Sequence, residues 1–430
     1  MKICIPANFI FGNELLYIWD VLAKNKNISY EMVEDKTYAD LLIDDSPGSE
    51  LPIAVEFYKA LSKNIFSHQQ HFQNDCLIRT ADGRIDHLAT AFYMINSFQE
   101  YHVQQFDELE RFRYADSYQC KYKNIHENLV QNCFDKVVEQ CPQLSRYKKQ
   151  GLPSKVFLSH DIDSIHGALM QDGLVAIKQG KFGVLFKLLA NAVMSRPDWL
   201  NMDKIMKIES EYDFRSTFFW IVSKGKVNER SVNADYDIQS PAIQNSIKQI
   251  GDNGSSNGLH KSISPDTLKI EIEKSGFNPV SNRYHYLKFN LPQAWDDIEN
   301  AKLQLDASLG FAEMHGFRNS YGLPFQPYNF ETRKSYSFIE APLNVMDGTF
   351  QRYMKLPVKE TAKSVITFFE KNEQNCLHSV LWHNTFFTDH KYAGYLGEYK
   401  KILDYLYERK FQCLTDRQII NEYLKADQSG

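Results

Sequence analysis

Two aspartates one residue apart, Asp161 and Asp163, end the run VFLSHDIDS at residues 156–164, directly after an apolar strand pattern and beside His160. Carboxylates at the tip of a buried strand suit metal-dependent hydrolysis, in which one holds a cation and the other takes a proton from water. Solvated loop acids satisfy the same short pattern, so partners decide its meaning. Other polar residues that end strand patterns are His260 after NGSSNGL, His285 in RYHYL, Arg318 after HGF, Asp347 after LNVM and His383 after SVLW. A lone histidine is usually a hydrogen-bonded structural residue. Two acids and three histidines at one end of one sheet, however, suffice to bind a zinc-like cation and still supply a base and an acid.

The elements that must position these residues alternate. After residue 150 the expected strands are VFLS, STFFWIVS, SNRYHYLKF, GFAEMHGFR, FIEAPLNVMD and HSVLWH. Between and after them come helical patterns in PAIQNSIKQIGD, in SPDTLKIEIEKSG with Ser264 as N-cap and Pro265 at the first position, from about Pro292, in KETAKSVITFFEK and in YKKILDYLYERK. Repeated β-then-α over this length predicts a parallel sheet, open or closed, with its site at the carboxyl ends of the strands. Upstream, short strand-like runs (MKICIPA, ADLLID) mix with helical stretches (DHLATAFYMINSFQEYH, NIHENLVQNCFDKVVEQC), and the polar SRYKKQGLPSK is the expected linker. Two domains follow, 1–150 and 151–430, in a chain of 430 residues.

Composition excludes several classes. A net charge of -5 with both signs interspersed offers no basic face to a phosphate backbone, so nucleic acid is not an expected partner. Seven widely spaced cysteines without a Cys-x-x-Cys pair read as reduced thiols in a cytoplasmic chain. The start, MKICIPANFIFGNELLYIWD, makes a poor signal peptide. The apolar stretch from Gly173 to Met194 is broken by Lys178, Lys181 and Lys187 at helical spacing, too polar to span a bilayer. Packing against the body of the protein is its expected role, with peripheral membrane contact left open.

The runs SHDIDS, STFFW, GLHKS, GFRNSYGLPF and VLWHN occur in the order and approximate spacing of the polysaccharide deacetylase family, carbohydrate esterase family four, which the chain resembles over about residues 155–420. The upstream segment DHLATAFYMINSFQEYHVQQFDELERF is similar to an uncharacterised domain that precedes a subgroup of that family. The resemblance implies a distorted (β/α) barrel behind a smaller N-terminal α/β domain. It also implies a divalent metal, zinc being the expected ion, and an acetylated carbohydrate substrate, with acetyl removed from nitrogen or oxygen. By the same resemblance Asp161 is the general base and Asp163 a metal ligand, Arg318 pairs with the base, His383 is the general acid and Asp347 its carboxylate partner. The family motif His-x-x-x-His is incomplete, because His260 is followed by Ser264 where the second histidine should stand. His285 entering from the next strand pattern is the favoured third ligand, with His315 a further candidate. Arg283 and Tyr286, which flank His285, and Trp382 are candidate substrate-binding residues, and Trp382 and Trp220 fit either a sugar wall or the core. The expected chemistry is deacetylation, with the proton moving from water to Asp161 and from His383 to the leaving atom.

Two other readings remain. Gly254-Ser255-Ser256-Asn257-Gly258 satisfies Gly-x-Ser-x-Gly, with Asp347 and His383 following in hydrolase order, although its composition is that of a polar loop. That would make a serine esterase using Ser256. A metal-free carbohydrate-binding relative, supported by Ser264 alone, is the other alternative.

Overall fold

A computed structural model describes residues 1–7, 9–45, 49–63, 71–72, 74–101, 105–147, 151–194, 197–227, 232–388 and 390–424. The N-terminal part holds a small parallel sheet, order β2-β1-β3, of Lys2–Cys4 (β1), Glu31–Met32 (β2) and Leu41–Leu42 (β3). Helix His87–Ile95 is buried along its length and is capped by Asp86, whose carboxylate accepts from the Ala89 N–H at 2.8 Å. Helix Leu129–Gln140 packs beside it. One apolar cluster runs from Ile3 through Leu406, so the segment before residue 150 and the barrel after it share a continuous core. Residues 148–150 of the expected linker lie outside the described residues.

The main sheet comprises Lys155–Ile162 (β4), Thr217–Ile221 (β5), Ser256–Lys261 (β6), Ser281–Tyr284 (β7) and Leu305–Asp306 (β8). A separate hairpin, Tyr328–Asn329 (β9) with Lys334–Ser335 (β10), precedes Ile339–Glu340 (β11), Val345–Met346 (β12), Leu377–Leu381 (β13) and Gln412–Cys413 (β14). Its order is β11-β8-β7-β6-β5-β4-β13-β12, with every pairing parallel. The two edge strands are consecutive in the chain. The extended segment 339–346 pairs with β8 at its start and with β13 at its end, and Leu343 N–H donates to Leu309 C=O at 3.0 Å between them. The sheet therefore curls round on itself, and Arg283 on β7 reaches across the interior to Ser159 and Asp161 on β4. Below the site the interior is filled by Phe157, Phe219, Leu305, Ala307, Ile339 and Leu377, plugged by Ile419 and Ile420 of helix Asp416–Tyr423. This is the expected α/β class, a distorted parallel barrel with helices outside.

Several local expectations are corrected. GFAEMHGFR forms no strand, because the pairing residues are Leu305–Asp306 upstream and the chain over 310–318 is irregular. The helix expected to begin at Ser264 is Leu268–Lys274, capped by Thr267, whose Oγ1 accepts from Ile270 N–H. Residues 256–258, expected in a polar loop, belong to strand β6. Its small residues fit because a Cβ at Gly258 would come within 2.5 Å of the Phe219 ring and 2.6 Å of Ser281 Oγ. Residues 168–193 form two helices whose apolar faces are largely exposed instead of packed on the body. Among the described residues no helix is long and apolar enough to cross a membrane, and all seven cysteines are free.

Candidate active site

Alternation along β4 sends Ser159 and Asp161 into the barrel, with Asp163 one residue past the strand in the same phase. His160 points the other way and is structural. Its Nε2 lies 2.9 Å from Glu209 Oε1 and its Nδ1 2.6 Å from Trp382 C=O, in a fully buried cluster with Tyr399. From β6 comes His260, and from the turn after β7 comes His285. That turn is strained, since Tyr286 and Leu287 both adopt left-handed φ (59° and 54°). Arg111, from the N-terminal part, donates to the Tyr286 C=O at 3.0 Å while paired with Asp107, and so pins the turn that aims His285.

The three side chains converge. His260 Nε2 lies 3.1 Å from His285 Nδ1, and Asp163 Oδ1 is 3.3 Å from the first and 3.5 Å from the second. Metal bonds of about 2.0–2.1 Å at tetrahedral angles place ligand atoms about 3.3–3.4 Å apart. Each ring spends its far nitrogen on a backbone carbonyl, His260 Nδ1 with Arg283 C=O at 2.8 Å and His285 Nε2 with Val232 C=O at 3.0 Å. In the neutral tautomers those bonds select, both facing nitrogens carry lone pairs aimed at one another and at a carboxylate oxygen. Asp163 Oδ1 is shut off from solvent without a hydrogen bond of its own. Such a convergence of electron pairs fits a cation, and among the described residues it is the one group of three that could hold a metal.

The electrostatics agree. Burial alone would raise Asp163, but His285, His260 and His383 outweigh it and hold the carboxyl far below the usual carboxylate range. Burial alone would lower His260, yet Asp161 and Asp163 raise it, as expected where positive charge is attracted. His285 is pushed down to about 4, first by burial, and is neutral near pH 7. Asp161 is buried and ion-paired with Arg283 Nη1 at 2.9 Å, its Oδ2 lying 3.5 Å from His260 Nε2. At the end of β13, His383 Nδ1 is 2.7 Å from Asp347 Oδ1, and the backbone N–H of His383 donates to the other oxygen of that carboxylate at 2.6 Å. Burial disfavours charge on His383, but Asp347, with Asp163 and Asp161 behind it, pushes its pKa up to about 10. Its Nε2 lies 3.6 Å from Asp163 Oδ2. Asp161, Asp163, His260, His285 and His383 line one cleft of about 120 Å³, with Arg111, Tyr286, Arg352 and Tyr353 at its walls. A larger cavity of about 420 Å³, lined by Tyr17, Asn25, Tyr321 and Tyr423, contains none of them.

The structure thus brings together Asp161, Asp163, His260, His285, Asp347 and His383, with Tyr286 on the wall. Arg318 is elsewhere. Its guanidinium is buried against Glu100 (Nε to Oε1, 2.9 Å) and Gly310 C=O, and Arg283 takes the expected place beside Asp161. Arg283 is fully buried, with its Nε on Ala307 C=O and its guanidinium over the Phe219 ring, so it faces no substrate. Trp382 and Trp220 are both fully buried core residues. His315 packs against the His126 ring, centroids 4.4 Å apart, away from the triad. Ser264 is tied to Ser223, Ser262 and Glu271. Ser256 begins β6, about 13 Å along the strand from His260, whereas the His383 that the serine alternative needs lies at the His260 end, its Nδ1 on Asp347 and its Nε2 3.6 Å from Asp163 Oδ2. The serine-esterase arrangement is therefore not formed. The contribution of Arg111 was missed in the sequence, where nothing local links it to residue 286.

Residues 5–144 match a family of unknown function (DUF7033), in keeping with the uncharacterised domain expected there. No curated protein matches the chain. Among solved structures it is similar to a Mycobacterium smegmatis protein assigned as a polysaccharide deacetylase, at 13% identity and TM-score 0.41, covering 65% of this chain and 93% of that one. It is also similar to a variant of the peptidoglycan deacetylase PdaC from Bacillus subtilis, at 11% identity and TM-score 0.31, covering 65% and 96%. A third is a mutant CE4 family pseudoenzyme with restored enzymatic activity, at 10% identity and TM-score 0.33, covering 63% and 68%.

Proposed function

We propose that this chain is a metal-dependent hydrolase that removes an acetyl group from an acetylated sugar of a polysaccharide or glycan precursor. The observation that carries the reading is the convergence of His260 Nε2, His285 Nδ1 and Asp163 Oδ1 within 3.1–3.5 Å of one another, beside a second carboxylate and a histidine paired with Asp347. The sugar and the acetyl group rest on the resemblance of SHDIDS, GLHKS and VLWHN to deacetylase motifs.

Asp163, His260 and His285 would hold a divalent ion, zinc by its donor set, which when bound supplies Lewis acidity toward water and the acyl carbonyl. Asp161, with Oδ1 fixed by Arg283, keeps Oδ2 as the site that takes the proton of the attacking water. His383, protonated at neutral pH and oriented by Asp347, gives its Nε2 proton to the departing nitrogen or oxygen. Desolvation within the narrow cleft strengthens both charge pairs. The test is metal analysis of the purified chain together with acetate release from a panel of N- and O-acetylated sugars. Stoichiometric metal with acetate release inhibited by a chelator supports the reading. Full acetate release from the metal-free chain would refute it.

A further inference from the structure

The connection from β4 to β5 carries a surface that the hydrolase reading does not use. It forms helices Ala168–Lys178 and Phe182–Val193, which pack antiparallel with Gly173 against Leu185 over a small cluster of Ala168, Leu188 and Trp199. Outward, the first helix shows Met170, Leu174 and Ile177 at 73%, 56% and 50% exposure, and the second Phe182, Phe186 and Val193 at 58%, 71% and 86%. At about 100° per residue each set falls within an arc of about 60°. Both stripes are turned by a similar angle from the faces the helices share, so in an antiparallel pair they lie on one side and make one apolar face. An exposed contiguous apolar face marks an interaction surface.

Its charge says what covers it. Lys178, Lys181 and Lys187 are exposed and make no ion pair among the described residues, and residues 173–194 contain no acid, in a chain of net charge -5. Asp172, the one acid of the two helices, is buried and accepts from Trp199 Nε1 at 3.1 Å and Lys391 N–H at 3.0 Å. A second copy docking on the same face would set these lysines against their own equivalents, because a two-fold contact pairs a patch with itself. An anionic bilayer complements both features, with acyl chains for the stripes and headgroups for the lysines. We propose that the hairpin 168–194 seats this chain on an anionic membrane surface. It springs from the strand end that carries Asp163, so binding there holds that end of the barrel close to the headgroups.

The test is co-sedimentation with phosphatidylcholine vesicles, with and without phosphatidylglycerol, and does not depend on hydrolase activity. The full chain should sediment with the anionic vesicles, and added salt should release it. Lys178→Gln/Lys181→Gln/Lys187→Gln should lower that partitioning about a hundredfold, roughly fivefold for each lysine. Phe186→Ser/Val193→Ser, at positions too exposed to disturb folding, should abolish binding while leaving circular dichroism unchanged. No sedimentation with anionic vesicles, or undiminished binding of the serine variant, overturns the proposal. So does a dimer in light scattering that the serine variant dissociates, since a second copy would then cover the face.

Discussion

Replacing His285 by alanine should remove the metal while replacing Ser264 should not, a contrast that isolates how this chain completes its ligand set. His285 Nδ1 stands 3.1 Å from His260 Nε2, whereas Ser264 is engaged in a polar knot whose anchor, Glu271, also holds Lys261 Nζ at 2.8 Å and the Ser262 N–H at 3.0 Å. Structural zinc sites with four ligands contribute about 10–16 kcal/mol, so one ligand carries on the order of 3–4 kcal/mol, or roughly 10²–10³ in affinity. His285→Ala should therefore bind zinc about 10²–10³ times more weakly than the wild type in competition with a chromogenic chelator. Ser264→Ala should stay within a few-fold. Thermal melts of the chelator-stripped proteins separate ligand loss from unfolding. Wild-type affinity in His285→Ala, or a tenfold loss in a folded Ser264→Ala, refutes the assignment of the third ligand.

The two aspartates should part company: Asp161→Asn keeps stoichiometric metal and loses turnover, Asp163→Asn loses both, and equal metal loss in the two refutes the division of labour. Arg283→Gln and Arg318→Gln each break a buried ion pair and should each destabilise the fold by about 3–5 kcal/mol in denaturant titrations. Only Arg283→Gln should also lower kcat in the folded variant, because of the two only Arg283 touches Asp161. Arg111→Ala frees the Tyr286 carbonyl and should weaken zinc binding about 10–100-fold, measured by the same chelator competition, as loss of a residue that orients a ligand does. His378 and His315 are each buried and pushed down to about 3, by desolvation first. The unfolded chain takes up their protons below about pH 6.5 and the native chain does not until about 3, so stability falls as pH drops through that window. Between pH 7 and 5 the loss is about 2 kcal/mol per histidine. Urea titrations at the two pH values should show it, and His378→Phe should halve the combined effect of the pair.

How much of this was legible depends on the range over which each signal acts. The helix Pro241–Asp252 coincides with its pattern because its apolar positions and the proline at its start are local. The aspartate tip, His260 and the Asp347–His383 pair were legible because they lie at the ends of strands of one parallel sheet, where period two fixes which side chains turn inward. The two arginines were exchanged because Arg318 lies in an irregular stretch with no period to read, and its partner Glu100 is 218 residues away. Arg283 faces inward through the register of β7, a fact that needs the strand's neighbours and not its own composition. The hairpin 168–194 showed its amphipathic pattern, but a pattern cannot say whether anything covers the apolar face.

The strand that read as a loop carries the physical lesson. SNGLHK is poor in the branched apolar residues that mark strands, because its inward side faces an interior already crowded by the Phe219 ring and the Ser281 side chain. A larger residue at 258 would displace Phe219, over which the Arg283 guanidinium is stacked 4.5 Å from the ring centroid. Arg283 in turn holds Asp161 through its Nη1 and His260 through its backbone carbonyl. The glycine that disguises β6 as a loop is thus the one that leaves room for the stack on which the proposed base and one proposed ligand both depend.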